Sequence, residues 1–307
     1  MTTTSPTSPG SASHGPESDG PASHGSASRG PASPGALERP EIRRTSLWHQ
    51  SVTIFRRNLI HIKRMPEMLL DVTIQPVMFV LLFAYVFGGA IAVSAPSGYR
   101  EWLLGGIMGQ TIAFSSFIVA LGLTADIDKG IVDRFRSLPI NPAAILVGRS
   151  MSSLTHSFIG IIVMSLTGLV VGWRIRGSFL DAVAAYGLLL LWGFAMIWVG
   201  ILVGSAMRSV EAVNGVMFTT MFPLTFLSNA FAPTESMGTV LRAITEWNPL
   251  SSLVQAVREL WGNTPPAPAD AHLPLQHPVL FTVLWTVVIT AVLAPLALKV
   301  FRNRTMQ

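Results

Sequence analysis

Residues 179–206 read FLDAVAAYGLLLLWGFAMIWVGILVGSA and carry one charged side chain, Asp181. A helix rising 1.5 Å per residue needs about 20 apolar residues to cross roughly 30 Å of hydrocarbon. Inside lipid every backbone N–H and C=O must find its partner within the protein, so a run of this kind is a helix. Working outward, five further runs have the same character, over about 68–89, 103–124, 149–172, 213–232 and 279–300. The chain is 50% hydrophobic and only 12% charged, against roughly 25% charged in soluble domains. These runs predict an all-α membrane protein with six transmembrane helices.

The basic residues set the expected orientation. With both termini in the cytoplasm, 16 of the 21 Lys and Arg residues fall inside and 5 outside (Arg100, Arg174, Arg176, Arg242 and Arg258), as the positive-inside rule requires. Arg174 and Arg176 are the one local exception. The net charge of +5 does not mark a nucleic-acid binder, because the basic residues flank apolar runs rather than interleave with exposed aromatics. Arginine outnumbers lysine 18 to 3 and Ala, Gly and Pro abound, which fits a GC-rich bacterial gene and a multi-pass protein of the bacterial plasma membrane.

Residues 1–44 are a Ser/Pro/Gly-rich tail with near-repeats (GPASHG, GSASRG, GPASPG) and little to bury, so a disordered cytoplasmic segment is expected. It has no apolar core of a cleaved signal peptide, leaving the first span as the targeting signal. In residues 45–65, Trp48, Val52, Phe55, Leu59 and Ile62 share one helical face, with Arg56, Arg57, His61, Lys63 and Arg64 around the remainder. That pattern suits a helix lying in the headgroup layer. Between the fifth and sixth runs, residues 233–278 are too polar to span and hold two short helical stretches broken at Asn248–Pro249. They are expected as short extracellular helices.

Catalytic chemistry finds no support. A P-loop needs a lysine followed by Ser or Thr, but Lys63, Lys129 and Lys299 precede Arg64, Gly130 and Val300. H-E-x-x-H, G-x-S-x-G and EF-hand patterns are missing. With no cysteine, thiolate metal sites and nucleophiles are excluded. His272 and His277 stand in a Pro-rich segment without a sequence-adjacent carboxylate, so no metal site is predicted. No carboxylate falls at mid-membrane, against proton-driven transport. Asp181 is expected to be hydrated at a helix end. Arg149 is expected to be structural, and His156, near Ser152, Ser153 and Thr155, is open to an interhelical hydrogen bond or a substrate role. Small-xxx-small pairs at Gly105/Gly109, Gly168/Gly172 and Gly200/Gly204 permit close helix approach, within the chain or between chains.

The loop 125–149, ADIDKGIVDRFRSLPINPAAILVGR, is the sharpest signal. Ile127, Ile131 and Phe135 recur at i, i+4 and i+8 among Asp128, Lys129, Asp133, Arg134 and Arg136. The spacing predicts a short amphipathic helix over about 125–137, stopped by Pro139 and Pro142, with an apolar stripe suited to a groove on a soluble partner.

This loop resembles the ABC type-2 transporter permease family, in its daunorubicin-resistance (DrrB-like) branch, through KGIVDRFRSLPINPAAILVGR. A second similar stretch is LSNAFAPTESMGTVLRAITEWNPLSSLVQAVREL, with its Asn-Ala-Phe-x-Pro and Trp-Asn-Pro elements. The resemblance covers about 45–305 and implies a permease domain over 45–307 that forms a homodimer and binds a separate ABC ATPase subunit. ATP and Mg would be used by that subunit, with no cofactor on this chain and no nucleic acid involved. Ile127, Asp128, Lys129, Ile131, Asp133, Arg134, Phe135 and Arg136 would couple to the ATPase. Asn229, Phe231, Pro233, Trp247, Asn248 and Pro249 would form an extracellular gate. Thr111, Phe114, Ser115, Phe117, Met217, Phe218, Met221 and Phe222 are the candidate pathway for a hydrophobic small-molecule cargo, since Met and aromatic surfaces adapt to varied apolar ligands. The implied function is export of a hydrophobic drug, antibiotic or secondary metabolite. The alternative is export of a polysaccharide or lipid-linked glycan.

Overall fold

The computed structural model of the protein describes residues 67–87, 98–130 and 142–305. The predicted tail (1–44), the helix at 45–65 and residues 131–141 of the 125–149 loop lie outside the described residues. Helix α1 (Glu67–Leu82) runs on through a π-helical turn at Phe83–Phe87 and is followed by α2 (Tyr99–Asp128), α3 (Pro142–Val171), α4 (Phe179–Ala206) and α5 (Val210–Phe226). After a 3₁₀ turn at Thr234–Ser236 come α6 (Thr239–Trp247), α7 (Pro249–Leu260), the single turn α8 (Leu273–Gln276) and α9 (Pro278–Thr305). No strand occurs among the described residues. Four of these helices, α2, α3, α4 and α9, are long and apolar enough to cross a membrane.

Local chemistry sets the ends. The Ser178 hydroxyl accepts from Asp181 N while the Asp181 carboxylate accepts from Ser178 N, a capping box that starts α4 at the expected residue. Helix α3 begins at Pro142, seven residues before the expected span, and a proline fits there because it lacks only an N–H that the first turn leaves unpaired. Gly172 closes α3 at φ 106°, with Trp173 N donating to Gly168 O at 2.8 Å. Helix α5 ends at Phe226, six residues short of the expected limit. There the Asn248 amide donates to the carbonyls of Leu224 and Leu227, both at 2.7 Å. The expected break at Asn248–Pro249 is present: Asn248 ends α6, and its side chain accepts from Leu250 N to start α7.

Helix α4 is the central post, packed along α2 and α9. Its buried Leu189, Trp192, Ala195, Met196, Ile197 and Ile201 belong to two apolar clusters. Among the described residues all of the paired glycines except Gly172 find neighbours within this chain. A Cβ on Gly200 or Gly204 would run into the backbone of Ser116 or Ala120 on α2. Gly105 and Gly109 lie against Arg258 and Val254 on α7, and Gly168 lies against Leu104.

Candidate functional site

The bundle has two polar ends. One is formed by the starts of α2, α4 and α9 together with α6 and α7, and is here called the Trp102 end. At its centre Arg258 is fully buried. Nε donates to Trp102 O at 2.7 Å, and the two terminal nitrogens donate to Asn229 O and Ala230 O, both at 2.9 Å. The guanidinium carbon stands 3.4 Å from the centroid of the Trp102 ring, a cation–π contact in a dry setting. Gly106 has to be glycine here, since a Cβ would overlap the backbone of Ala230.

Two further networks flank it. Arg176 grips Glu101 with two bonds of 2.9 Å. Asn263 donates to Glu101 at 3.2 Å and to Arg174 O at 2.9 Å, and accepts from the Trp173 indole at 2.8 Å. On the far side the Glu246 side chain is completely buried and receives Arg242 at 2.6 Å, His272 N at 2.7 Å and His272 Nδ1 at 2.8 Å. Burial pushes the Glu246 carboxyl up, but the donors Arg242, His272 and Thr234 outweigh it and hold the group below the usual carboxylate range. Arg242 also reaches Asp270 at 2.9 Å, which lowers that exposed carboxyl. The structure therefore brings to His272 a carboxylate 26 positions away, while Asp270, two residues before it, is engaged by Arg242. No group of three or more potential metal ligands occurs among the described residues.

At the opposite, Asp128 end, Arg149 pairs with Asp126, joining α3 to α2. Arg304 on α9 reaches the carbonyls of Gly204 and Ser205 at 3.1 and 3.2 Å, also that of Met207, and stands 3.7 Å from Asp128. One cation thus caps the end of α4 and ties it to α2. Ile127 and Asp128 form the last turn of α2 and Lys129 its cap, with Gly130 at φ 66°. The expected continuous helix over 125–137 is interrupted there, because a left-handed residue ends an α-helix. Ile131, Asp133, Arg134, Phe135 and Arg136 lie outside the described residues.

The α2–α5 seam separates the candidate pathway residues into two groups. Met217 and Met221 are buried, with Phe114 and Phe117 packed partly against them, and fill the seam itself. The Ser115 hydroxyl is turned back to Ile112 O at 2.7 Å, and Thr111 is half-buried. Phe218 and Phe222 face outward. Phe218 meets Phe117 edge-on at 5.3 Å. Phe222 starts a file of stacked rings through Phe226, Phe231, Phe83 and Phe79, with centroids 4.2 to 5.9 Å apart.

The expected gate residues come together at the Trp102 end, as a bonded junction. Asn229 N donates to Ser251 Oγ, Phe231 O accepts from Tyr99, Pro233 precedes the 3₁₀ turn, and Trp247 lies edge-on to Phe281. Asn248 and Pro249 hold the α6–α7 corner as described above. His156 departs from the expected interhelical bond: its buried Nε2 has no partner, while Ser152 and Thr155 bond back to their own helix. The networks of Arg258, Glu101 and Glu246 were not foreseen. Arg258 alone had a readable signal, since it shares an apolar face with Val254, Val257 and Trp261.

Comparison with known proteins places this architecture. A family model described as ABC-2 type transporter matches residues 49–261. The chain is 32% identical over 267 residues to the daunorubicin resistance ABC transporter permease protein DrrB1 of Streptomyces coeruleorubidus, covering 87% of this chain and 90% of that one. It is 24% identical over 234 residues to the probable doxorubicin resistance ABC transporter permease protein DrrC of Mycobacterium tuberculosis, covering 76% and 81%. The putative transport permease ycf38 of Cyanophora paradoxa is 26% identical over 219 residues, covering 69% and 73%.

Proposed function

Because the chain belongs to the ABC-2 type transporter family, we propose that it is the membrane path of an ATP-driven exporter for a hydrophobic drug, antibiotic or secondary metabolite in a bacterial plasma membrane. The chain is a permease and not an enzyme, and the family implies an ABC ATPase as a separate subunit. In this proposal the domain spans 45–307, with the tail 1–44 outside it. Two copies assemble with two ATPase subunits, which use ATP and Mg. The shorter α1 and α5 join the four long helices as spans. Both termini are cytoplasmic, the Asp128 end faces the ATPase, and α6 and α7 lie outside.

One observation carries the choice of cargo: the near full-length similarity to a permease named for daunorubicin resistance. The outward rings of Phe218 and Phe222, with Phe226 beside them, supply a flat apolar surface that suits such cargo. ATP shifts the equilibrium between inward- and outward-open forms only by binding one better than the other, so the ATPase must push on this chain. The loop from Ile127 to Arg136 is where it does so.

The test is drug uptake into inverted vesicles holding the chain with its ATPase. Arg134→Glu and Phe135→Ala should each cut uptake about tenfold, which is about 1.4 kcal/mol of coupling, while membrane insertion and ATP hydrolysis persist. Normal uptake by both variants would overturn the coupling role.

A further inference from the structure

Helices α3 and α4 do not close against each other along their whole length. Between them lies a groove of about 470 Å³, lined on α3 by Phe158, Ile162 and Leu166 and on α4 by Val183, Gly187 and Leu190. This falls within the roughly 300–1,000 Å³ typical of small-molecule sites. The two hydroxyls on its floor are engaged: Ser165 Oγ and Tyr186 OH lie 2.9 Å apart, and Ser165 Oγ also bonds Ile161 O at 2.8 Å. With those hydroxyls satisfied by each other and by the backbone, the groove offers hydrocarbon-like walls.

Gly187 shows that the groove is built. On the same helix Gly193, Gly200 and Gly204 each lie against a neighbour that a Cβ would touch. At Gly187 a Cβ would meet nothing within 4 Å. An interior helical glycine weakens its helix, so one without a protein neighbour is best explained by something outside the chain occupying the space. Beyond its Leu166 and Val183 walls the chain continues into the tip of the α3–α4 hairpin, where Val170 is 87% and Phe179 86% exposed. Arg174 reaches back to Leu169, three residues past Leu166, bonding Leu169 O at 2.8 Å and Trp173 O at 2.7 Å, both through one terminal nitrogen. Nearby Arg176 is committed to Glu101, and Asp181 to Ser178. Among the described residues Arg174 makes no ion pair, so its charge is left for an anion at the rim. This is also one of the two arginines that break the positive-inside pattern.

We propose that the α3–α4 groove binds a membrane phospholipid, with an acyl chain against Tyr186 and Gly187 and the headgroup phosphate on Arg174. Arginine pairs strongly with phosphate oxygens, and the lipid surrounding a membrane permease provides that chemistry at the depth where the groove ends. The site rests on the membrane location of the chain and is independent of its cargo.

The full chain, purified and delipidated in detergent, is titrated with phosphatidylglycerol or with diacylglycerol of the same acyl chains, and bound lipid is counted by native mass spectrometry. The wild type should retain one phosphatidylglycerol about tenfold more strongly than diacylglycerol. Gly187→Phe, whose Cβ meets no protein atom within 4 Å and whose ring takes up the groove, should abolish both. Arg174→Gln should remove the preference for phosphatidylglycerol and leave the diacylglycerol level intact. Phospholipid retention equal to the wild type in both variants overturns the proposal. So does a Gly187→Phe chain whose oligomeric mass falls at unchanged lipid retention, since a second copy would then be the occupant.

Discussion

The two polar ends of the bundle are built on opposite principles. At the Trp102 end Arg258 and the Glu246 side chain are wholly buried, and each donates or receives at least three hydrogen bonds. At the Asp128 end the partners remain partly in water, with side-chain exposures of 21% and 39% for Arg149 and Asp126 and 21% and 42% for Arg304 and Asp128. A buried charge cannot leave its partners without a large desolvation cost, whereas a half-exposed one exchanges them for water at little cost. One end is therefore fastened and the other adjustable. That division suits a machine pushed from one side, and it means that the end proposed as an outer gate opens only by moving as a block.

Three measurements test the contrast, in order of expected size. Replacing Arg258 with Met leaves the carbonyls of Asn229 and Ala230 without their donor inside the protein and strips Trp102 O of its extra bond, and should cost about 3 kcal/mol or more in detergent thermal unfolding. Arg258→Lys, which keeps the charge but not the three-way fork, should fall between Met and the wild type. A wild-type melting temperature for Arg258→Met would mean that this end is not fastened there.

The second effect is a pH dependence. Since the folded Glu246 carboxyl titrates below the unfolded value of about 4.5, its contribution is complete above that value and is lost as the pH falls through the folded one. The melting temperature should therefore decline on acidification below about pH 4.5. Glu246→Gln should start lower at neutral pH and show a flatter curve in that range. Parallel curves for the two proteins would remove Glu246 from the account. The smallest effect is expected for Asp128→Asn, within about 1 kcal/mol of the wild type. A loss as large as that of Arg258→Met would erase the distinction between the ends.

Hydrophobic patterning made the long helices legible, because spanning length and backbone satisfaction leave one solution. Helix α4 falls where expected over 179–206, and the Asn248 corner was readable because an Asn-Pro pair both caps and starts a helix. The early start of α3 at Pro142 was not legible, because a proline at a helix start and one after a helix end look alike in sequence. The premature end of α5 depends on an amide 21 and 24 residues away, which no local pattern encodes. The same holds for the site. Met217 and Met221 look like adaptable cargo contacts in sequence, yet whether a methionine faces a cavity or a neighbouring helix is decided only when α5 docks on α2. Arg258 meets Trp102 across 156 positions, beyond the reach of any spacing rule.

The seam between α2 and α4 carries a mechanical corollary. With Gly200 and Gly204 pressed against the backbone of Ser116 and Ala120, and Thr124 donating to Gly204 O at 3.0 Å, neither helix can slip along the other without a clash. The pair is in effect one beam about 45 Å long. A shove delivered at Asp128 thus arrives at Trp102 as tilt rather than as compression, and what swings at the far end is whatever Arg258 has bolted to it.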